Sequence, residues 1–344
     1  MVATPPLIAV DAMGGDTAPR DVVLGVAEAS LSTGAQVLLV GNRDEAARIL
    51  DSVEHDPSRI ELCAAHGTIP MDASPREALQ AFPEASLPLA ARRVAEPDGP
   101  AALVTAGNTG AVVLACAQAF RRLGPIRRTA LAAVIPTERT HGDRQDPFSL
   151  LLDAGATVRV EAEDLVRFGL MGGAYARLVS QNPHPRVALL SNGTEPNKGT
   201  PEVIHAHRAL SGATSIDFIG NIEGLDLTRG TADVVICDGF TGNITLKMLE
   251  GVSETVTNLA RYAYRSRMTW RFAMWLLQNG LDRLKAVTDW QQYGGAPILG
   301  FDRLCIKAHG RSGPRAIRNA IRVAERCVVQ DLIRRMADDL EGCD

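Results

Sequence analysis

The sequence predicts an α/β fold: a three-layer α/β/α, doubly wound sandwich on a parallel sheet. Three observations carry this. Short apolar runs recur without polar alternation and stop at Gly, Asp or Asn, which marks strands buried on both faces. Helical stretches lie between them, so the units read as strand, helix, strand. Aromatics are only 4% of the 344 residues, while Ala, Val, Leu and Gly are plentiful; that composition favours helices on a sheet over a β-sandwich.

In chain order, the first strand is "PLIAVDAMGGD", followed by a helix over Asp21–Thr33 and a second strand, "AQVLLVGN". "AALVTAGNTG", "LAAVIPT" and "SLLLDAGAT" are further strands, and a helix is expected over Glu163–Gln181. "RVALLSNGTE" leads into a helix over Pro201–Ser211, and "SIDFIGNIEG" and "ADVVICDGFTG" complete the set. The polar stretch Arg139–Ser149 reads as a surface excursion between two strands. Residues 252–290 differ: they read as helical throughout, hold Trp270, Trp275 and Trp290, and place Arg261, Arg265, Arg267 and Arg271 before "FAMWLL". Such a segment suits either a homodimer interface or a helix lying at a membrane surface. The chain is expected to form a single catalytic α/β domain (1–344), or two lobes of one.

Ligands of such folds bind at the carboxyl ends of the strands. Polar residues with glycines gather there: Asp11, Gly14, Gly15, Asp16; Gly107, Asn108, Thr109, Gly110; Asp153; Glu195, Lys198; Asn221; Asp238, Gly239, Thr241, Gly242, Asn243. Gly and Asn also end strands simply because turns need them, so the case rests on the set. Two stretches echo each other, "LVTAGNTGAVVLA" and "VICDGFTGNITLK". Each is an apolar run, then Gly-x-Thr-Gly, then a helix start. A glycine turn at a helix N-terminus makes an anion site, because N–H groups converge there and the helix dipole favours negative charge.

Other chemistries are disfavoured. A net charge of −4 gives no basic face for nucleic acid. The six cysteines form no C-x-x-C, so a metal or redox motif is not expected and the thiols read as reduced. G-x-G-x-x-G and G-x-S-x-G are absent, and "GTEPNKGT" fails as a P-loop because Lys198 precedes Gly199. Cys237 ends a buried run beside Asp238, which should raise its pKa and silence it as a nucleophile. The N-terminus carries no signal-peptide pattern and no run of apolar residues is long enough to span a bilayer. A cytoplasmic chain is expected, with a peripheral place on the inner face of the membrane as its second option. Lys198 suits a point charge on phosphate. His309, in "IKAHGRSG", suits a general acid or a donor to an oxyanion.

Seven blocks together resemble one family: "AVDAMGGDTAPRDVVLG", "AGNTGA", "LLDAGA", "NGTEPNKG", "FIGNIEG", "DGFTGNITLKMLEG" and "YGGAPILGF…IKAHGRSG". They run in order from residue 9 to about 326 and are similar to the bacterial phosphate acyltransferases of phospholipid synthesis. The resemblance implies an enzyme on a fold akin to phosphotransacetylase and isocitrate dehydrogenase, acting without a cofactor or metal. Inorganic phosphate attacks the thioester of a long-chain acyl group on acyl carrier protein. The acyl phosphate then passes to a membrane glycerol-3-phosphate acyltransferase. Family members are homodimers that visit the membrane. Lys198, Asn243, His309 and Asn108 are the expected catalytic residues: Lys198 and the N–H groups around Gly242–Asn243 on phosphate, His309 and Asn108 near the thioester. Asp11, Gly14, Gly15, Asp16, Gly107, Thr109, Gly110, Asp153, Glu195, Asp238, Gly239, Thr241 and Gly242 are the expected substrate-binding set.

The chain departs from that pattern at Gln80–Pro88, where the family's basic residues and Ser-Ser pair are replaced and Ser86 alone remains; Thr157 stands where Asn is usual. Two alternatives therefore stay open: a catalytically weak relative that binds carrier protein or membrane, and a short-chain phosphotransacetylase. Carrier protein is acidic, so its docking patch should be basic, with Arg92, Arg93, Arg121, Arg122, Arg127 and Arg128 as candidates.

Overall fold

In the computed structural model, the described residues are 5–138, 148–266, 268–277 and 294–341. Most of Arg139–Ser149, Trp290 with the end of the 252–290 segment, and Cys343 lie outside them.

The first half alternates as expected: β1 (Leu7–Asp11), α1 (Arg20–Ser32), β2 (Gln36–Gly41), α2 (Arg43–Leu50), β3 (Ile60–Ala64), α3 (Pro75–Ala81), α4 (Ser86–Ala95), β4 (Ala102–Thr105) and α5 (Thr109–Ala119). The short β5 (Ala130–Leu131) and β6 (Ala133–Pro136) follow, then β7 (Phe148–Leu152), α6 (Ala162–Leu178), β8 (Arg186–Leu190), α7 (Pro201–Ser211), β9 (Asp217–Ile222), α8 (Gly224–Arg229) and β10 (Val234–Ile236). A long α9 (Gly239–Ser266) and α10 (Met268–Leu276) precede β11 (Ala296–Leu299), β12 (Leu304–Lys307), α11 (Pro314–Val329) and α12 (Leu332–Glu341).

The strands form two sheets rather than one. A seven-stranded sheet runs β3-β2-β1-β4-β12-β11-β5, and a five-stranded sheet runs β6-β7-β10-β8-β9. Most pairs are parallel; β11 pairs antiparallel with both β12 and β5, and β6 antiparallel with β7. The run "LAAVIPT", read as one strand, is broken at Ala132, whose N–H turns to Pro297 O. Its halves β5 and β6 enter different sheets, which joins the two.

Consecutive strand residues are buried on opposite faces. Ile8, Val10, Leu150 and Leu152 join one apolar cluster, which packs under α1, α6, α11 and α12. Ala9, Leu103, Leu151 and Val235 join the other, with Leu87 of α4 and Ala111 of α5. Each apolar layer draws on both sheets, and this gives the three-layer α/β/α architecture. The helix expected at Asp21–Thr33 begins one residue earlier, and that at Glu163–Gln181 stops at Leu178.

α9 breaks this rule. Of its 28 residues only Gly239 and Gly242 are buried. Phe240, Ile244, Met248, Val252 and Val256, spaced four apart, are each at least half exposed. That stripe lies on one face of the helix and is left uncovered by the described residues.

Candidate active site

Each of the two echoing turns packs against a buried aspartate. At the end of β1, Asp11 is 1% exposed. Ser86 Oγ donates to its Oδ1 at 2.6 Å and Thr105 Oγ1 to its Oδ2 at 2.7 Å. The Thr105 hydroxyl in turn accepts the Gly107 N–H at 3.0 Å, so the first turn is tied to Asp11 through one hydroxyl. Burial raises the Asp11 pKa, and the Ser86 and Thr105 hydroxyls pull it back. Gly14 closes this cluster: a Cβ there would lie 2.5 Å from Asp11 Oδ2 and 2.7 Å from the Gly107 nitrogen. No larger residue fits.

At the end of β7, Asp153 is fully buried. Its Oδ1 accepts the N–H groups of Leu131, Gly155 and Ala156 at 2.8 to 2.9 Å, and its Oδ2 that of Thr157 at 2.6 Å. The second turn sits on this bracket, with the Gly239 N–H on Thr157 O at 2.9 Å.

The helix caps differ between the two turns. In the first, Asn108 caps α5 by accepting the Ala111 N–H, while its amide donates to Met71 O at 2.7 Å. In the second, the cap is Asp238, one residue before the Gly-x-Thr-Gly; it takes the Thr241 N–H at 2.9 Å and hydroxyl at 2.6 Å. The Gly242 N–H is already spent on Asp238 O at 2.9 Å. Of the N–H groups around Gly242–Asn243 expected on phosphate, that of Gly242 is therefore engaged in the helix ladder. The half-buried Asn243 side chain, lying over Gly155, is what remains at that turn.

A third cluster ends β8. Lys198 is exposed and its N–H closes a turn onto Glu195 O at 3.0 Å. A Cβ on Gly193 would meet Glu195 Oε2 at 2.8 Å and Lys198 Cγ at 2.9 Å, so both side chains fold over that glycine.

His309, in the loop after β12, meets α9. Its Nδ1 accepts the Arg311 N–H at 3.2 Å, and its Nε2 faces Glu250 Oε2 of α9 at 3.7 Å. The nearby His309 ring lowers the Glu250 pKa below the ordinary carboxylate range, with Lys247 and Arg311 adding to it. The helix opened by the second turn thereby reaches the loop after β12. Asp16 lies beside that loop, its N–H on Gly310 O at 2.8 Å.

Three comparisons bear on this arrangement. The family model described as "Fatty acid synthesis protein" matches residues 7–335. A phosphate acyltransferase of Moorella thermoacetica is 40% identical over 331 residues, covering 96% of this chain and 95% of that one. A phosphate acyltransferase of Dictyoglomus turgidum is 37% identical, with 97% of each chain covered. The chain belongs to the phosphate acyltransferase family. It is therefore an acyltransferase of lipid synthesis. Its fold is similar to that of a phosphotransacetylase from Streptococcus pyogenes, with TM-score 0.64 at 14% identity and 95% of each chain covered.

Within the acyltransferase, the expected residues fall into three groups. Asp11, Gly14, Gly15, Asp16, Gly107, Asn108, Thr109, Gly110 and His309 gather on the larger sheet; Asp153, Asp238, Gly239, Thr241, Gly242 and Asn243 gather on the smaller; Glu195 and Lys198 end β8. Asp11 and Asp153 lie under the turns with their oxygens engaged from within the chain, and Asn108 is spent on its cap and on Met71. The Cys237 thiol is buried, and burial pushes its pKa well above normal, as does nearby Asp153.

Sequence reading missed Lys307. Lys307 pairs with Thr105 in the β12–β4 register, and Thr105 follows the β1–β4 register beside Asp11. Asp11, Thr105 and Lys307 thus form a buried polar row across β1, β4 and β12. Burial lowers the Lys307 pKa to about 8, against the opposing pull of Cys305, Asp11 and Asp16. The altered Gln80–Pro88 segment also has a structural account. Its serine holds Asp11, and Arg92 closes the bend by donating to Pro83 O and pairing with Glu84 at 3.0 Å. Of the arginines expected to meet carrier protein, Arg93 pairs with Glu96 and Arg127 with Glu161, so much of that charge is neutralised locally.

Asp153 yields a pH prediction. Burial raises its pKa from 3.8 to about 6, although its four backbone donors pull it down. Between those values the folded state holds a proton that the unfolded chain has lost, so this group's contribution to stability falls as pH rises. The unfolding free energy of the wild type minus that of Asp153→Asn should drop by about 2 kcal/mol from about pH 4 to about pH 6.5. Denaturant titrations of both proteins across that range measure it; a difference independent of pH would refute the assignment.

Proposed function

We propose that this acyltransferase moves a long-chain acyl group from acyl carrier protein to inorganic phosphate, by direct attack of phosphate on the thioester. The observation that carries this reading is the pair of glycine turns at strand carboxyl ends, each packed on a buried aspartate, Asp11 under the first and Asp153 under the second. Such a site offers donors and positive helix ends, and little covalent chemistry.

The reaction asks for little more. Phosphate is largely deprotonated at neutral pH, and a thiolate leaves readily because thiols have pKa near ~8.5. Catalysis then consists of positioning and of stabilising the tetrahedral oxyanion. In this reading the Lys198 ammonium and the Asn243 amide hold phosphate. His309, whose Nδ1 accepts from Arg311 N–H, directs Nε2 at the thioester oxygen or the departing sulfur, with Asn108 shaping the first turn. The tetrahedral intermediate collapses to acyl phosphate and the carrier-protein thiol. The product then serves a membrane glycerol-3-phosphate acyltransferase.

The exposed stripe on α9 supports a homodimer, since an uncovered apolar face of that length marks an interface. On α10, Phe272 and Trp275 are exposed and stacked with ring centroids 5.9 Å apart, which suits transient contact with a membrane surface. Among the described residues no helix is long and apolar enough to cross a membrane. Light scattering tests the dimer, and vesicle co-sedimentation of wild type against Trp275→Glu tests the lipid contact; a monomer, or equal sedimentation, would remove the respective idea.

The central test is release of free thiol from long-chain acyl carrier protein with and without phosphate. Release that saturates with phosphate is expected. Carrier-protein binding without phosphate-dependent release would favour a weak, binding relative, and a preference for acetyl-coenzyme A would favour a short-chain enzyme.

A further inference from the structure

We propose that Asn221 and His207 are positioning residues that set where the Lys198 ammonium points, and so set phosphate affinity. The inference rests on the reading of Lys198 as a phosphate ligand and adds the device that aims it.

The device begins with a bulge. β8 and β9 run in parallel register, Val187 opposite Phe218, but then Leu189 falls opposite Asn221. Two steps on β8 meet three on β9, so β9 carries an extra residue. Gly220 adopts φ +97° there, a conformation open to glycine and costly for other residues. Bulges of this kind re-aim the following side chain. Here the re-aimed residue is Asn221, 5% exposed, directed at the loop that ends β8.

Asn221 reaches that loop at one atom. Its Nδ2 donates to Glu195 O at 2.8 Å, and the same carbonyl accepts the Lys198 N–H at 3.0 Å. One oxygen therefore closes the Lys198 turn and takes the amide that anchors it. The turn presses the Lys198 stem over Gly193, where even a Cβ would lie 2.9 Å from Lys198 Cγ. A shift of the Glu195 carbonyl moves the root of the lysine.

His207 fixes the amide. It lies on α7, 8% exposed, with Nδ1 3.0 Å from Asn221 Oδ1. Because Nδ2 of Asn221 is the donor to Glu195 O, Oδ1 must accept, and His207 Nδ1 carries the hydrogen. Phe218 holds the ring edge-on at a centroid distance of 5.2 Å. α7 itself starts at the end of the Lys198 loop, with Thr200 accepting the Val203 N–H. The loop is thus held at its exit by a cap and in its middle by a buried chain: His207, Asn221, Glu195 O.

The test is steady-state kinetics of the full-length enzyme with inorganic phosphate and long-chain acyl carrier protein varied in turn. Asn221→Ala and Asn221→Asp should each raise the phosphate KM by about tenfold or more, and leave the carrier-protein KM unchanged. The aspartate fails because it keeps the acceptor for His207 and loses the donor to Glu195 O. His207→Phe should show the same split, while His207→Asn, whose amide can replace the Nδ1 donor, should stay near wild type. If Asn221→Ala does not fold, the two His207 variants decide the matter. Lys198→Ala with Asn221→Ala should raise the phosphate KM no further than Lys198→Ala alone, since the two act through one group. A lower kcat with unchanged phosphate KM in the Asn221 and His207 variants would mean a merely structural role and overturn the proposal. If Lys198→Ala shifts phosphate saturation and the Asn221 and His207 variants do not, this inference alone fails. If Lys198→Ala itself leaves saturation unchanged, the reading of Lys198 fails and this inference with it.

Discussion

Replacing Lys198 by Ala is expected to raise the phosphate concentration at half-saturation about 10- to 150-fold, with the carrier-protein KM unchanged. That range corresponds to about 1.5–3 kcal/mol, the usual worth of a hydrogen bond to a charged group. The geometry makes the effect specific to one substrate. Lys198 is exposed, on a loop whose described contacts are with Gly193, Glu195 and, through the Glu195 carbonyl, Asn221. It is exposed and outside the apolar core, so its loss should leave the fold intact. Lys198→Arg should restore only part of the affinity, because a planar fork does not reproduce a compact ammonium on a flexible stem. Thiol-release kinetics across a phosphate series would measure all three proteins. Unchanged half-saturation in Lys198→Ala would take Lys198 out of the phosphate site and leave the Asn243 amide as its remaining proposed ligand.

The α/β architecture could be read because strand and helix have separate signatures here. Runs such as "LIAV" and "VALL" are buried on both faces, and no alternation disguises them. β3, β11 and β12 escaped that reading, and the Ala130–Pro136 run was misread as one strand. β11 is a four-residue run that pairs antiparallel with β12 and β5. The Ala130–Pro136 run changes sheet at an alanine that carries no local signal. The same limit governs the site. Gly, Asn and Thr at strand ends mark where a site belongs, but not which of them is spent internally. Asp153 and Asn108 read as ligand groups, whereas their oxygens serve Leu131, Thr157 and Ala111. Lys307 went unnoticed because it sits at the end of an apolar run, and only the pairing of β12 with β4 brings it beside Thr105 and Asp11. Asn221 was visible as strand-end punctuation; its target, the Glu195 carbonyl, follows from a bulge that no local pattern announces.

Gly242 and Gly251 of α9 should respond to alanine with opposite signs. Gly242→Ala places a Cβ 1.9 Å from the Asp153 carbonyl oxygen and 2.9 Å from Cys237 Sγ. The first of these is backbone, held in place because the Asp153 N–H is itself bonded to Cys237 O at 3.0 Å. No rotamer relieves the clash, so α9 must lift from β7, at a cost of about 3 kcal/mol or more. The displacement would carry Asn243 off Gly155 and Glu250 away from His309, so phosphate-dependent thiol release should fall with stability. Gly251→Ala, on the same helix, meets nothing within 4 Å. It should gain about 0.5–1 kcal/mol, the ordinary preference of a helix interior for alanine. Thermal unfolding of the pair separates the two causes, since helix propensity is the same in both and only the contact with Asp153 differs. Equal melting temperatures would mean that α9 does not rest on the Asp153 carbonyl. The second glycine turn would then not be held against the β7 loop, and the joined site proposed for the two sheets would lose its support.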